Sequence, residues 1–143
     1  MKISTRGRYA LRVMIDLAEH DNGSYIPLKE IVERQEISQK YLEGIMSDLS
    51  KSGLLEGQHG KGGGYRLCRA PETYTVLEIL RVTEGELAPV SCMESGAPVC
   101  QRAGRCKTLP MWRDFYNLIH SFFAGITLAD LVQNEIQGND YII

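Results

Sequence analysis

The sequence predicts a mainly α protein with one small β-hairpin, organised as a winged helix-turn-helix followed by a long C-terminal helix. Three observations carry this. Apolar residues recur at helical spacing in three short segments before residue 53. The period then changes to two strand-length runs around a glycine-rich tip at 57–64. Last, a long amphipathic segment follows a cysteine-bearing stretch that has no period.

The elements follow in order. Thr5 is the expected N-cap of the first helix, whose stripe is Ala10, Leu11, Met14, Leu17 and Ala18. Turn residues at 20–24 end it. Pro27 can open a second helix, since its missing N–H costs nothing in a first turn, and Leu28, Ile31 and Val32 form the buried stripe. Ser38 is the expected cap of a third helix with Tyr41, Leu42, Ile45, Met46 and Leu49 as its apolar positions, and Gly53 stops it. Residues 54–56 and 65–68 read as strands, with His59 and Lys61 at the tip between them. Thr75 and Glu78 form a capping box ahead of a fourth helix that Gly85 closes. Residues 86–107 read as a structureless loop, long enough for so small a chain to imply a role. The long helix spans about 109–123, with Met111, Trp112, Phe115, Ile119, Phe122 and Phe123 on its apolar face. Thr127 caps a last short helix, and the tail 137–143 reads as loosely ordered. The division this suggests is 1–84 as the DNA-binding unit, 85–108 as an effector loop, and 109–143 as dimerisation helix and tail.

Composition narrows the function. The chain has 143 residues, the size of one compact domain, and its 43% hydrophobic and 24% charged content excludes disorder throughout. No apolar run is long enough for a membrane span, and none follows the basic N-terminus as a secretory signal needs. The expected compartment is therefore the cytoplasm, where thiols stay reduced and four cysteines point to metal or redox chemistry. The net charge of −2 divides into +2 over residues 1–70 and −4 over 71–143. Lys2, Arg6, Arg8 and Arg12 precede any acid, so on charge alone the first half either meets an anionic partner or presents a solvated basic face.

The third helix carries Gln39, Lys40, Glu43, Ser47 and Ser50 on its polar face. Such a face fits the major groove, where side chains reach base edges. A glycine-flanked tip bearing His59 and Lys61 suits a minor groove, where backbone must approach closely. The same scaffold also serves protein–protein contacts, and the pattern alone leaves that alternative open. Cys92, Cys100 and Cys106 are spaced C-x7-C-x5-C. Iron–sulfur clusters take four ligands, so three thiols and one outside ligand would suffice. The paired C-x2–4-C spacing of structural zinc is absent. Three unligated cysteines remain the alternative, and Cys68 reads as a packed strand residue. No nucleophile–base pair, phosphate-cradling loop or demanding carboxylate pair indicates an enzyme.

The opening Met1-Lys2-Ile3-Ser4-Thr5-Arg6-Gly7-Arg8-Tyr9-Ala10-Leu11 resembles the family of bacterial winged-helix transcriptional regulators of the IscR, NsrR and CymR type. Pro27-Leu28, Ile37-Ser38, Tyr41-Leu42-Glu43, Ser52-Gly53-Leu54, Gly62-Gly63-Gly64-Tyr65, Trp112-Arg113-Asp114 and Ile126-Thr127-Leu128 extend the resemblance over nearly the whole chain. It implies a homodimeric regulator of a palindromic double-stranded DNA operator, with the long helix packing against the partner chain. It further implies DNA contacts at Ser38, Lys40, Tyr41, Glu43 and Gly44 on the third helix, and at His59, Gly60 and Lys61 on the wing. Cys92, Cys100 and Cys106 match the family's cluster ligands, with 2Fe–2S favoured over 4Fe–4S. The chain departs from the pattern at the fourth ligand. Leu109 stands where IscR has a histidine, and Arg8 where NsrR has an aspartate. Glu94, a partner-chain residue, a hydroxyl or an exogenous small molecule are the candidates. A second expectation is a cluster-free repressor of CymR type, controlled by thiol oxidation or by a partner protein.

Overall fold

A computed structural model describes residues 1–134. The expected tail at 137–143 lies outside them. Helices α1 (Thr5–Glu19), α2 (Leu28–Gln35) and α3 (Gln39–Lys51) precede strands β1 (Leu55–Gln58) and β2 (Gly64–Leu67). Helices α4 (Val76–Glu84), α5 (Leu109–Ala124) and α6 (Leu128–Gln133) follow. The fold class expected from the sequence is the one observed.

The cap of α1 is Ser4, not Thr5. Ser4 is extended, and its hydroxyl accepts from the Gly7 N–H at 3.1 Å. The Glu84 carboxylate then accepts from both the N–H and the hydroxyl of Ser4, tying the start of α1 to the end of α4. Gly7 leaves room for this approach, because a Cβ there would meet the Glu84 carboxylate. Asp16, 1% exposed, receives both arms of Arg34 at 2.8 and 3.0 Å and the Gln35 amide at 2.8 Å. That paired charge fixes α2 on α1.

The hairpin is shifted from its expected bounds. Leu55 pairs with Leu67 and Gln58 with Gly64 in an antiparallel ladder. The strands extend into the glycines because Ile26 adds a bridge on the far side of β2, exchanging bonds of 2.8 and 2.9 Å with Tyr65. Gly64 has φ +152°, and any Cβ would strike the Ile26 carbonyl, so only glycine fits. Tyr74, which sequence reasoning overlooked, is fully buried and locks the hairpin to the next unit. Its hydroxyl donates to the Leu54 carbonyl at 2.7 Å and accepts from the Cys68 N–H at 2.9 Å. Cys68 lies just past β2, where the ladder has ended at Leu67, and is exposed, not packed.

The capping box of Thr75 and Glu78 forms as expected, and a second one joins Thr127 and Asp130. The two capped starts lie side by side, with Val76 N–H donating to Ile126 and Leu128 N–H to Tyr74. Leu128 thereby enters the main core formed by α1, α2, α3 and the hairpin. A second cluster of Val76, Leu77, Leu80, Leu87 and Ile119 holds α5 on α4, with Phe123 packed against it. The expected single apolar face of α5 is in fact divided. Ile119 and Phe123 face inward, whereas Met111 (52% exposed), Phe115 (39%), Leu118 (65%) and Phe122 (60%) point outward. Leu118 was not on the expected face; its i+3 and i+4 spacing to Phe115 and Phe122 puts it there. The segment 86–107 is not structureless either, since single 3₁₀ turns form at Ser91–Met93 and Ala103–Arg105. No helix among the described residues is long and apolar enough to cross a membrane.

Candidate functional site

Two features stand out, one between α3 and the hairpin and one ahead of α5. The first is a groove of about 610 Å³ between α3 and the wing. Ser38 starts α3 by accepting from the Tyr41 N–H at 3.3 Å. Leu42, Ile45, Met46 and Leu49 bury one side of the helix, so its other side must face solvent. Glu43, Ser47, Ser50 and Lys51 line one wall, and Gln58, His59, Gly60 and Gly63 the other. Of the residues expected to touch DNA, Glu43, His59 and Gly60 share this groove. Ser38, Lys40 and Tyr41 lie exposed at the N-terminal end of α3 beside it, with Gly44 half-buried, and Lys61 is exposed at the wing tip. Gln58 and Lys51 were missed. The i, i+4, i+8 spacing from Glu43 through Ser47 to Lys51 is the signal for the latter.

The polar groups here are unevenly committed. Gln39 donates to the Glu43 carboxylate at 3.1 Å. Lys40, Lys51 and Lys61 form no ion pair among the described residues. All three N-terminal arginines are internally engaged, Arg8 by donating to the Thr5 hydroxyl at 3.0 Å. Arg6 pairs with Asp48 and donates to the Gly44 carbonyl at 3.3 Å, pinning α1 to α3. Arg12 donates to Gln35 and stacks over Tyr9, whose ring meets Tyr41 edge-on at 5.7 Å. The rim is thus basic on exposed lysines, over a groove with one carboxylate held at its wall. Such a surface can pair with phosphates and present an acceptor to a base edge.

The second feature is a cavity of about 200 Å³ lined by Cys92, Cys100 and Cys106, with Met93, Val99, Ala103, Leu109 and Arg113. The turn Ser91–Met93 presents Cys92. The bond from Ala103 N–H to the Cys100 carbonyl, at 3.0 Å, sets the second turn between the other two thiols. Cys106 precedes α5, and its sulfur lies 3.4 Å from the Thr108 hydroxyl. That contact, with the Thr108 N–H, lowers the Cys106 thiol below its ordinary pKa. All four cysteines are free thiols, and Cys68 is remote from the cavity's lining.

The donor set matches an iron–sulfur cluster in kind. Three soft thiols meet at one cavity on backbone that has no sheet or long helix to disrupt. Among the described residues no three His, Cys, Asp or Glu side chains form a site for one metal ion. A two-iron cluster does not need one, since its four ligands are divided between two irons. Arg8 does not line the cavity, and Leu109 lines it with an alkyl group.

Glu86 connects this loop to α5. Its carboxylate accepts from the Ser95 hydroxyl and from the Tyr116 phenol, and those two bonds, Ser95 foremost, hold it below the usual carboxylate range. Tyr116 stacks on His120 at 3.9 Å. The His120 Nδ1 donates to the Tyr116 carbonyl at 2.8 Å, leaving a buried Nε2 without a partner among the described residues.

The sequence pattern of the Rrf2 family, described as iron-dependent transcriptional regulators, matches residues 3–134. The chain is 41% identical to the HTH-type transcriptional regulator IscR of Aliivibrio salmonicida over 96% of its own length and 81% of that protein. Among solved structures, CymR, the global cysteine regulator of B. subtilis, is similar at TM-score 0.76 and 33% identity, covering 95% of this chain and 99% of CymR. The IscR of T. potens is similar at TM-score 0.73 and 34% identity, covering 96% and 94%.

Proposed function

The chain belongs to the Rrf2 family of transcriptional regulators, which are not enzymes, and from that premise we propose a cytoplasmic homodimer that reads a palindromic operator and senses iron–sulfur status through Cys92, Cys100 and Cys106. The observation that carries this reading is the meeting of those three thiols at one cavity at the foot of α5.

In this account residues 1–84 contact DNA, 85–108 sense and 109–143 dimerise. Lys40, Lys51 and Lys61 bind phosphates, with Ser38 and Tyr41 positioning the start of α3. Glu43 faces the bases, Gly44 lets the helix backbone approach, and His59 and Gly60 bring the wing to the minor groove. The outward row Met111, Phe115, Leu118 and Phe122 is too apolar to stay in water and supports a second copy packed on α5. A bound cluster, 2Fe–2S before 4Fe–4S, would supply a cross-link between the two turns and α5. The chain's own residues carry a change there outward. Glu86 ties Ser95 to Tyr116 on α5, Glu84 ties α4 to Ser4, and Arg6 ties α1 to Gly44 and Asp48 of α3. A shift of α5 would alter the angle between two recognition helices and so the fit to two half-sites.

Anaerobic purification with iron and sulfide quantitation tests the sensor. A coloured protein with stoichiometric iron and sulfide, lost in Cys100→Ala, is expected. A colourless protein that stays iron-free on reconstitution, yet folds and dimerises, overturns it. One observation favours a second, CymR-like reading: the Thr108 contact gives Cys106 the character of a reactive thiol. Operator affinity that follows reductant in an iron-free preparation would support that alternative.

A further inference from the structure

The cavity of the three thiols lacks one donor and carries an uncommitted guanidinium at its edge. Its lining offers Cys92, Cys100 and Cys106 as thiolate ligands. Val99, Ala103 and Leu109 are hydrocarbon and donate nothing. The remaining side chains are Met93 and Arg113. Arg113 sits one turn beyond Leu109 on the same face of α5, and it makes no hydrogen bond or ion pair among the described residues. It is exposed, as are Cys92 and Cys100, so a solute can reach the cavity. A guanidinium at the edge of a small apolar pocket is suited to a carboxylate, which it binds through two parallel N–H groups.

We propose that the fourth position beside Cys92, Cys100 and Cys106 is taken by a small exogenous thiol that carries a carboxylate, its sulfur completing the ligand set and its carboxylate pairing with Arg113. This rests on the cluster reading above. The ligand class follows from two features of the cavity, a missing soft donor and a guanidinium at its edge suited to a carboxylate. The Met93 thioether is the rival inside the chain. It is a soft donor, but it offers no pair of oxygens to the parallel N–H groups of Arg113. An exchangeable fourth ligand would make the regulator answer to the supply of small acidic thiols as well as to iron.

The test uses the full chain, reconstituted anaerobically and desalted free of thiols, titrated with mercaptoacetate and separately with ethanethiol. The readouts are the visible absorption and circular dichroism of the cluster and the rate of iron loss to a chelator. Mercaptoacetate is expected to shift the spectrum saturably, slow iron loss, and bind about tenfold more tightly than ethanethiol, the margin of one charge-assisted hydrogen bond. Arg113→Ala is expected to erase that margin while ethanethiol still shifts the spectrum, and Arg113→Lys to restore part of it. A coloured protein whose spectrum ignores both thiols, or binds them equally, overturns the proposal and leaves the cluster standing. Loss of the cluster in Met93→Leu alone, with no response to thiol, assigns the position to Met93 and overturns it too. A protein that never takes up iron and sulfide overturns the cluster reading and this proposal together.

Discussion

The recognition helix and the cysteine loop are held by opposite means. On its inner side α3 buries Leu42, Ile45, Met46 and Leu49 in the main core, and Arg6, Tyr9 and the hairpin brace its flanks. The loop and α5 attach through Leu87, Ile119 and Phe123, and through one carboxylate, Glu86. A surface that must match DNA geometry gains from being pre-formed. A sensor must have two arrangements close in free energy, which a few buried contacts and exposed hydrogen bonds allow.

The sharpest way to break this contrast is a pair of truncations. Leu42→Ala in the core is expected to cost about 2–5 kcal/mol of folding stability. Leu118→Ala on the outward face of α5 is expected to leave the fold of the single chain within about 0.5 kcal/mol while weakening self-association. Denaturant melts with sedimentation measurements check both. If the two substitutions destabilise equally, α5 is as deeply packed as α3 and the contrast fails. Next in size is Arg34→Ala. It leaves the buried Asp16 carboxylate with only Gln35 and, at 3.8 Å, the His20 ring, and is expected to cost about 3 kcal/mol. A change below 1 kcal/mol in urea melts would contradict the bracing of α1 by α2.

Two smaller effects sharpen the comparison at the sites. Lys51→Ala is expected to lower DNA affinity about equally for all sequences and to reduce the salt slope by about one unit. Glu43→Ala is expected instead to relax base preference, which competition binding against operator variants will show. The last prediction concerns pH. Glu86 titrates below its ordinary range in the folded chain, so the unfolded chain binds the proton more readily. Its contribution is fully present above the ordinary carboxylate pKa and is lost as pH falls through the lower, folded value. Amide exchange around residues 91–96 should accelerate at acid pH, and Glu86→Gln should show that faster exchange already at neutral pH. Exchange insensitive to both would remove Glu86 as the link.

The helices were legible because each carries its own stripe and stop signal. Thr75 and Glu78 cap α4 as their spacing implies, and Gly53 follows α3 with φ +78°. What the sequence concealed depends on distant partners. Ser4 rather than Thr5 caps α1 because Glu84 reaches it from the end of α4. The strands shift because Ile26, some forty residues before β2 in the chain, pairs with Tyr65. Glu86 has no local motif, since its partners Ser95 and Tyr116 lie nine and thirty residues further along the chain. The cysteines were legible by spacing, but that Arg113 shares their cavity follows only from how α5 is set on the loop.

The most direct test is operator affinity, measured anaerobically at one fixed salt concentration before and after iron is chelated from the same preparation, for the natural chain and for Cys100→Ala. The account predicts that chelation changes the affinity of the natural chain for a selected palindrome, leaves its affinity for scrambled DNA unchanged, and has no effect on Cys100→Ala. Equal operator affinity with and without iron in the natural chain would contradict it and detach the cysteine loop from the reading of DNA.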